Sequence, residues 1–305
     1  MQTRREAMGV LGAGAVGVVA GAARAGRVQE EEVAGACRRR RIPGTGELVP
    51  CIGMGTYRTF DVDPDGDMTA QVEVMKTFLA AGGSVIDSSP MYRRSEEVVG
   101  RVLGTIERTD LFYATKVWTE DGKEAGKSQM NASIDQMGAP VMDLMQVHNL
   151  VLWQTHLETM REWKAAGRIR YIGITEMRDF ELVERLMKEE ELDFVQVPYS
   201  IDDRRVEERV LPTAADTGTA VLVMRPFGAG KLFGRVAGRE APEWAVEFDC
   251  HSWAQFFLKF VLAHPAVTCP IPATSKASHM ADNMRAGVGP APSVGMQDRM
   301  AGVLA

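Results

Sequence analysis

From residue 42 onward the chain alternates short apolar runs with amphipathic stretches, and this rhythm limits the folds open to it more than any single motif does. The expected strands are Ile52–Thr56, Ser84–Asp87, Leu111–Lys116, Met142–His148, Arg170–Thr175, Phe194–Pro198, Ala220–Met224 and Val267–Ile271. Several are continuously apolar, as strands covered on both faces must be. Between them lie helix-like stretches such as "MTAQVEVMKTFLAAGG" and "RDFELVERLMKEEEL". The first closes on Gly82-Gly83, a C-cap signal, and "SEEVVGRVLG" opens on a capping serine with two acids in its first turn. Eight strand–helix units in roughly 260 residues predict a (β/α)8 TIM barrel rather than an open sheet. Before the first strand, "RRIPGTGELVP" reads as a β-hairpin around its "GTG". Residues 42–305 form one expected barrel domain, with no second domain.

The net charge is −6, from 35 basic and 41 acidic residues, which argues against nucleic acid or an anionic membrane as partner. The basic run Arg38–Arg41 reads as a solvated arm, within a linker spanning residues 26–41. The first 25 residues differ from the rest. Arg4-Arg5 precede a weakly apolar, Gly/Ala-rich run from Met8 to Ala22, and "ARA" follows before Gly26. This pattern predicts a Tat-type signal peptide cut after Ala25, export by the Tat machinery and a periplasmic location. A misassigned start and a cytoplasmic protein is the other reading. Cys37, Cys51, Cys250 and Cys269 show no CxxC spacing, so no metal site is expected, although export permits disulfides.

In a barrel of this kind the chemistry sits at the C-terminal ends of the strands. Asp87, Lys116 and His148 close the second, third and fourth expected strands, and Tyr92 lies in the loop after the second. Each has a bland reading as a turn cap, a solvated cation, a structural imidazole or a packing phenol. Their shared position at successive strand ends is harder to obtain by accident. The set suits proton delivery to a carbonyl oxygen. A phenol with a pKa near ~10 keeps its proton at neutral pH, and an adjacent ammonium stabilises the tyrosinate left behind. Asp87 orients Lys116, and His148 hydrogen-bonds the carbonyl. No nucleophile motif accompanies them, so hydride from a reduced nicotinamide is the expected attacking group.

With these residues in place the chain resembles the aldo-keto reductase superfamily from about residue 40 to residue 285. The likeness rests on "IGMGTYRTF", "IDSSPMYRRSEEVVGRVL", "YATKVW", "MDLMQVHN", "GRIRYIGIT", "VQVPYS", "RPFGAGKLFG" and "IPATSKASHMADN", in that order. It implies a catalytic tetrad of Asp87, Tyr92, Lys116 and His148, with Tyr92 as general acid. It implies NADP(H), in preference to NAD(H), extended across the rim without a Rossmann fold. Gly55 and Thr56 would lie against the cofactor, and Gln196 would hold its carboxamide. Arg225, Phe227 and Gly228 would follow the ribose and pyrophosphate. Ala273, Thr274, Ser275 and Lys276 would grip the adenosine end, with Asn283 at the adenine and Lys276 at the 2′-phosphate. The chain departs from the family's commonest pattern at three places. Thr175-Glu176 replaces a Ser-Asn pair, Met224 replaces a stacking aromatic, and His279 replaces an arginine of the phosphate clamp. Tyr57, Met91, Trp118 and Asn149 would line the pocket for a small-molecule carbonyl substrate, and the short C-terminal segment suggests a permissive one. A nicotinamide-binding regulatory or sensor protein with little turnover is the alternative that the same residues allow.

Overall fold

Two of the four arginines in the Arg38–Arg41 run point inward, and their burial decides where the fold begins. In the computed structural model, which describes residues 30–31, 36–107 and 110–304, Arg38 and Arg40 are only 2% and 3% exposed. Strands β1 (Glu30–Glu31), β2 (Arg39–Arg41) and β3 (Leu48–Pro50) form an antiparallel sheet, with Arg40 opposite Val49. Gly46, at φ 75°, turns the chain between β2 and β3. The expected hairpin is therefore present, but the solvated arm is not. The Arg40 guanidinium donates to the Leu262 carbonyl oxygen at 2.6 Å and to that of Val267. Arg38 Nε donates to the Gly287 carbonyl oxygen at 3.2 Å. A run of like charges looks solvated in sequence, but strand alternation turns every second side chain toward the barrel, where the carbonyls of Leu262, Val267 and Gly287 receive it. The proposed signal segment, residues 1–25, lies outside the described residues.

Eight parallel strands follow, each hydrogen-bonded to the next in chain order. They are β4 (Met54–Gly55), β5 (Val85–Asp87), β6 (Phe112–Val117), β7 (Met142–Val147), β8 (Ile169–Thr175), β9 (Phe194–Pro198), β10 (Ala220–Met224) and β11 (Val267–Pro270). Each lies within a residue or two of its expected bounds. The seam between first and last closes through Gly53 N–H to the Pro270 carbonyl (3.0 Å) and Gly55 N–H to the Pro272 carbonyl (3.1 Å). Gly55 is required there, because a Cβ would stand 2.8 Å from the Ile271 oxygen. The helices that matter for the site are α1 (Thr69–Ala80), α2 (Ser95–Leu103), α3 (Gly122–Met137), α4 (Trp153–Ala165), α5 (Phe180–Glu189), α6 (Val210–Thr217), α7 (Lys231–Arg235), α8 (Trp253–Leu262) and α9 (Ala277–Arg285). No helix among the described residues is long and apolar enough to cross a membrane.

The barrel interior has its own core, distinct from the layer between strands and helices. Ile42 and Val49 of the hairpin pack with Val85, Phe112, Leu144, Tyr171, Phe194 and Leu222. The Phe112 and Tyr171 rings stack at 5.9 Å, and Phe194 meets Tyr171 edge-on at 5.4 Å. The side-chain period of two makes the inward positions legible. Val85 is followed inward by Asp87, Ala114 by Lys116, Leu144 by Gln146 and Phe194 by Gln196. The interior is thus apolar at the hairpin end and polar at the C-terminal rim. Cys37, Cys51, Cys250 and Cys269 are buried thiols, and Cys37 Sγ lies 3.8 Å from Cys51 Sγ, a thiol contact rather than a bond.

Replacing Arg40 with Met should lower stability by about 3 kcal/mol, since it leaves two buried carbonyls without their donor. Chemical denaturation checks this, with Arg39→Met, at an exposed position of the same strand, expected to stay near the wild-type midpoint.

Candidate active site

At the polar end of the barrel, Asp87 receives three donors. Lys116 Nζ lies 2.7 Å from its Oδ2, Gln146 Nε2 lies 3.1 Å from Oδ1, and Gln196 Nε2 lies 3.4 Å from Oδ2. Lys116 Nζ also donates to the Ser88 carbonyl at 2.7 Å. The ammonium and the carboxylate are each almost fully buried. Burial alone pulls the Lys116 pKa down, but Asp87, Tyr92 and Glu96 outweigh it and hold the amine above its ordinary value.

Tyr92 reaches this pair from a tight turn at Pro90–Tyr92, begun by Ser89, whose Oγ accepts the Met91 N–H at 3.2 Å. Lys116 Nζ sits 5.3 Å from the Tyr92 ring centre. Desolvation raises the phenol's pKa and the Lys116 charge opposes that rise, with a net shift upward. The phenol therefore holds its proton throughout the neutral range. The Tyr92 ring meets His148 edge-on at 5.9 Å and Tyr57 at 5.0 Å. Burial, assisted by the Lys116 charge, pushes His148 down to about 3, so its imidazole is neutral. Ser89 Oγ lies 3.0 Å from His148 Nδ1. That oxygen, which also accepts from Met91, thus anchors the neutral imidazole through Nδ1.

A hollow of about 430 Å³ opens beside Tyr92, with Gly55, Thr56, Tyr57, Asp87, Gln196, Arg225, Phe227 and Ala273 among its walls. It shares Phe227, Phe233 and Ala273 with a second hollow of about 380 Å³, which Thr274, His279 and Asn283 also line. Together they make one groove from the phenol to α9. A larger hollow of about 490 Å³ lies along α5 among Glu184, Lys188 and Arg209, but those side chains pair with one another and none belongs to the rim. The rim groove fits a nicotinamide dinucleotide on one specific observation. Gln196 Oε1 is buried with no hydrogen-bond partner among the described residues, while its amide nitrogen is engaged by Asp87. A buried acceptor left open at a groove suits the N–H of a carboxamide.

The other expected residues distribute as follows. Thr175, Met224, Gly228, Ser275 and Lys276 stand on the rim without forming the groove's walls. The Thr175 hydroxyl accepts the Asn149 N–H at 3.0 Å and so fixes the loop after His148. Glu176 turns back to cap Met177 and Arg178 N–H at 2.7 and 2.8 Å. Met224 packs on the interior core. Gly228, at φ 57°, lies against the Asp202 carboxylate, and Lys276 is the N-cap residue of α9. Tyr57, Met91 and Trp118 leave 50%, 43% and 41% of their surface exposed, which gives the mouth an apolar rim. Sequence reasoning missed Ser89, Gln146, Phe233 and Trp253. Gln146 and Ser89 carried a signal, being one inward step beyond Leu144 and two residues from Asp87.

A family model for the aldo/keto reductase family matches residues 51–293. The chain belongs to the aldo/keto reductase family. It is an NAD(P)H oxidoreductase with the family's barrel. Among characterised relatives it is 28% identical over 240 residues to the NADH-specific methylglyoxal reductase of Escherichia coli, covering 67% of this chain and 72% of that protein. It is 25% identical over 233 residues to the glyoxal reductase of Bacillus subtilis, covering 74% and 79%. In fold it is similar to an aldo/keto reductase from Klebsiella pneumoniae in complex with NADP and acetate, with a TM-score of 0.72 at 24% identity over 88% of this chain and 96% of that one.

Ser89→Ala removes the hydroxyl that fixes the imidazole. It is expected to cut the turnover of this reductase about tenfold, the scale of one lost hydrogen bond of 1.4 kcal/mol. Steady-state kinetics measure the loss, and a nicotinamide-cofactor dissociation constant close to wild type would place it in the chemical step.

Proposed function

We propose that this protein reduces small aldehydes or ketones to alcohols at the expense of NADPH, with Tyr92 as the general acid. The observation that carries the reading is the buried Lys116–Asp87 pair set beneath the Tyr92 ring at the mouth of the groove. The substrate carbonyl oxygen meets two donors, the Tyr92 hydroxyl and His148 Nε2–H. The chemistry that the bound cofactor supplies is a hydride for the carbonyl carbon. As negative charge develops on the oxygen, Tyr92 releases its proton to it. Lys116 then faces a tyrosinate, and the attraction between them lowers the cost of that release. Asp87 keeps the ammonium charged and aimed. Neutral His148 donates without competing as an acid.

Two relatives named for methylglyoxal and glyoxal support small dicarbonyls as the substrate class. The exposed Tyr57, Met91 and Trp118 suit such compact, weakly polar molecules. For the cofactor, Lys276 at the start of α9 joins a cation to the open N–H groups of a helix N-terminus, which favours the 2′-phosphate of NADP. The NADH-specific relative and the NADP-complexed neighbour bracket this preference. The twin arginines at Arg4-Arg5 support Tat export, which carries proteins already folded around a cofactor. Cell fractionation, with and without an Arg4→Lys/Arg5→Lys change, tests that assignment.

Tyr92→Phe should bind NADPH as tightly as wild type and lose about 10²–10⁴-fold in methylglyoxal turnover, the range that general acid catalysis is worth. Turnover at the wild-type rate would remove Tyr92 from the role. Lys276→Ala should weaken NADPH about tenfold and leave NADH unchanged, as expected for one charge-assisted contact of about 1.4 kcal/mol. Fluorescence titration with both nucleotides reads the difference.

A further inference from the structure

Glu96 is a carboxyl group that the reduction does not use, yet it lies directly behind the site. It occupies the first turn of α2, four residues after Tyr92, and is 1% exposed. Thr115 Oγ1 donates to its Oε1, and Ser133 Oγ donates to its Oε2 at 3.0 Å. Thr115 immediately precedes Lys116 on β6, and Ser133 lies on α3. The approach of α2 to α3 that creates this pocket depends on Gly100, where a Cβ would fall 2.0 Å from the Gln136 carbonyl oxygen. Among the described residues no lysine or arginine forms an ion pair with Glu96. The two donated hydrogen bonds favour the carboxylate, while burial without a paired cation favours the neutral acid, so the pocket holds Glu96 between its two states.

We propose that Glu96 is a positioning residue for the reductase chemistry, one that acts on Tyr92 through Lys116 by adding or withholding a negative charge behind the ammonium. This rests on Tyr92 being the general acid. When Glu96 is neutral, the Lys116 charge is shared between Asp87 and the phenol. When Glu96 ionises, a second carboxylate draws on the same ammonium, and the tyrosinate becomes harder to form. The charged groups that act on Glu96 are Lys116 from β6 and Asp87 from β5, while α3 offers the Ser133 hydroxyl. Desolvation, partly opposed by the two hydroxyls and Lys116, raises Glu96 to about 7. Tyr92 and Lys116 are pushed up and His148 down to about 3, so none of these three changes charge near neutrality. The sign for stability follows. A carboxyl whose pKa is raised by folding contributes fully below its unfolded value of 4.5, and that contribution is lost as pH rises through about 7.

The test is the single-turnover rate of NADPH oxidation by methylglyoxal at saturating NADPH, from pH 5 to pH 9, for the full chain. Wild type should slow about five- to tenfold as pH rises through 7, the effect of up to one unit on the phenol. Glu96→Gln, which keeps size and hydrogen bonding, should show no such step and exceed wild type at pH 9 by that factor. Its melting temperature should match wild type at pH 5 and exceed it at pH 8. Thr115→Val, which removes a donor that favours the anion, should move the step to higher pH. Superimposable profiles for wild type and Glu96→Gln overturn the proposal while a dead Tyr92→Phe leaves the parent reading standing. A Tyr92→Phe variant with wild-type turnover overturns both.

Discussion

The ion pair between Lys116 and Asp87 is the interaction on which the rest of the site depends. Bringing an ammonium and a carboxylate out of water costs several kcal/mol each, and their attraction repays it only when the remaining hydrogen-bonding capacity is also met. Here it is met by the Ser88 carbonyl on the cation and by Gln146 and Gln196 on the anion. Sequence proximity does not create this arrangement; it exists because three consecutive strands, β5, β6 and β7, together with β9, present Asp87, Lys116, Gln146 and Gln196 at one level. The pair is poor evidence for stability. Its use is to keep one positive charge fixed beneath the Tyr92 ring.

That single charge has two effects on its neighbours. It opposes the desolvation that raises Tyr92, and it adds to the desolvation that lowers His148. The phenol is thereby made a better acid than burial alone would allow, and the imidazole is kept neutral. Two titratable side chains at one rim are driven in opposite directions by one cation. Ser89 adds to this by engaging Nδ1 and fixing the neutral ring in place.

The strands and the gathering of Asp87, Tyr92, Lys116 and His148 at one rim were legible in the sequence because both follow from periodicity. Alternation marks which residues face inward, and the barrel rule marks which end of each strand carries chemistry. Asp87, Lys116 and His148 satisfy both rules at once. What escaped lay where burial reverses the usual meaning of a polar residue. Arg38 and Arg40 read as solvated because four arginines stand together, yet alternate ones enter the barrel floor to meet helix-end carbonyls. Glu96 reads as an ordinary acid in a helix's first turn, and only the close packing of α2 on α3 shows that it is sealed from solvent. Thr175 and Glu176 stand where a carboxamide-binding pair was looked for. In the structure they bond to the backbone of their own and the preceding loop.

The cofactor groove keeps one polar atom unsatisfied. Gln196 Oε1 has no partner among the described residues, and its β8 neighbour Thr175 turns its hydroxyl to the Asn149 N–H; one step down, Gly173 pairs with Phe194 and Gln146. A Cβ at Gly173 would lie 3.1 Å from the Gln146 side chain and 3.0 Å from the Phe194 carbonyl oxygen. The glycine therefore makes room for Gln146 to reach Asp87. A side chain at Gly173 would displace the donor that steadies the carboxylate. The open Gln196 acceptor lies in the wall of the groove, where the N–H of a carboxamide would complete its hydrogen bonding.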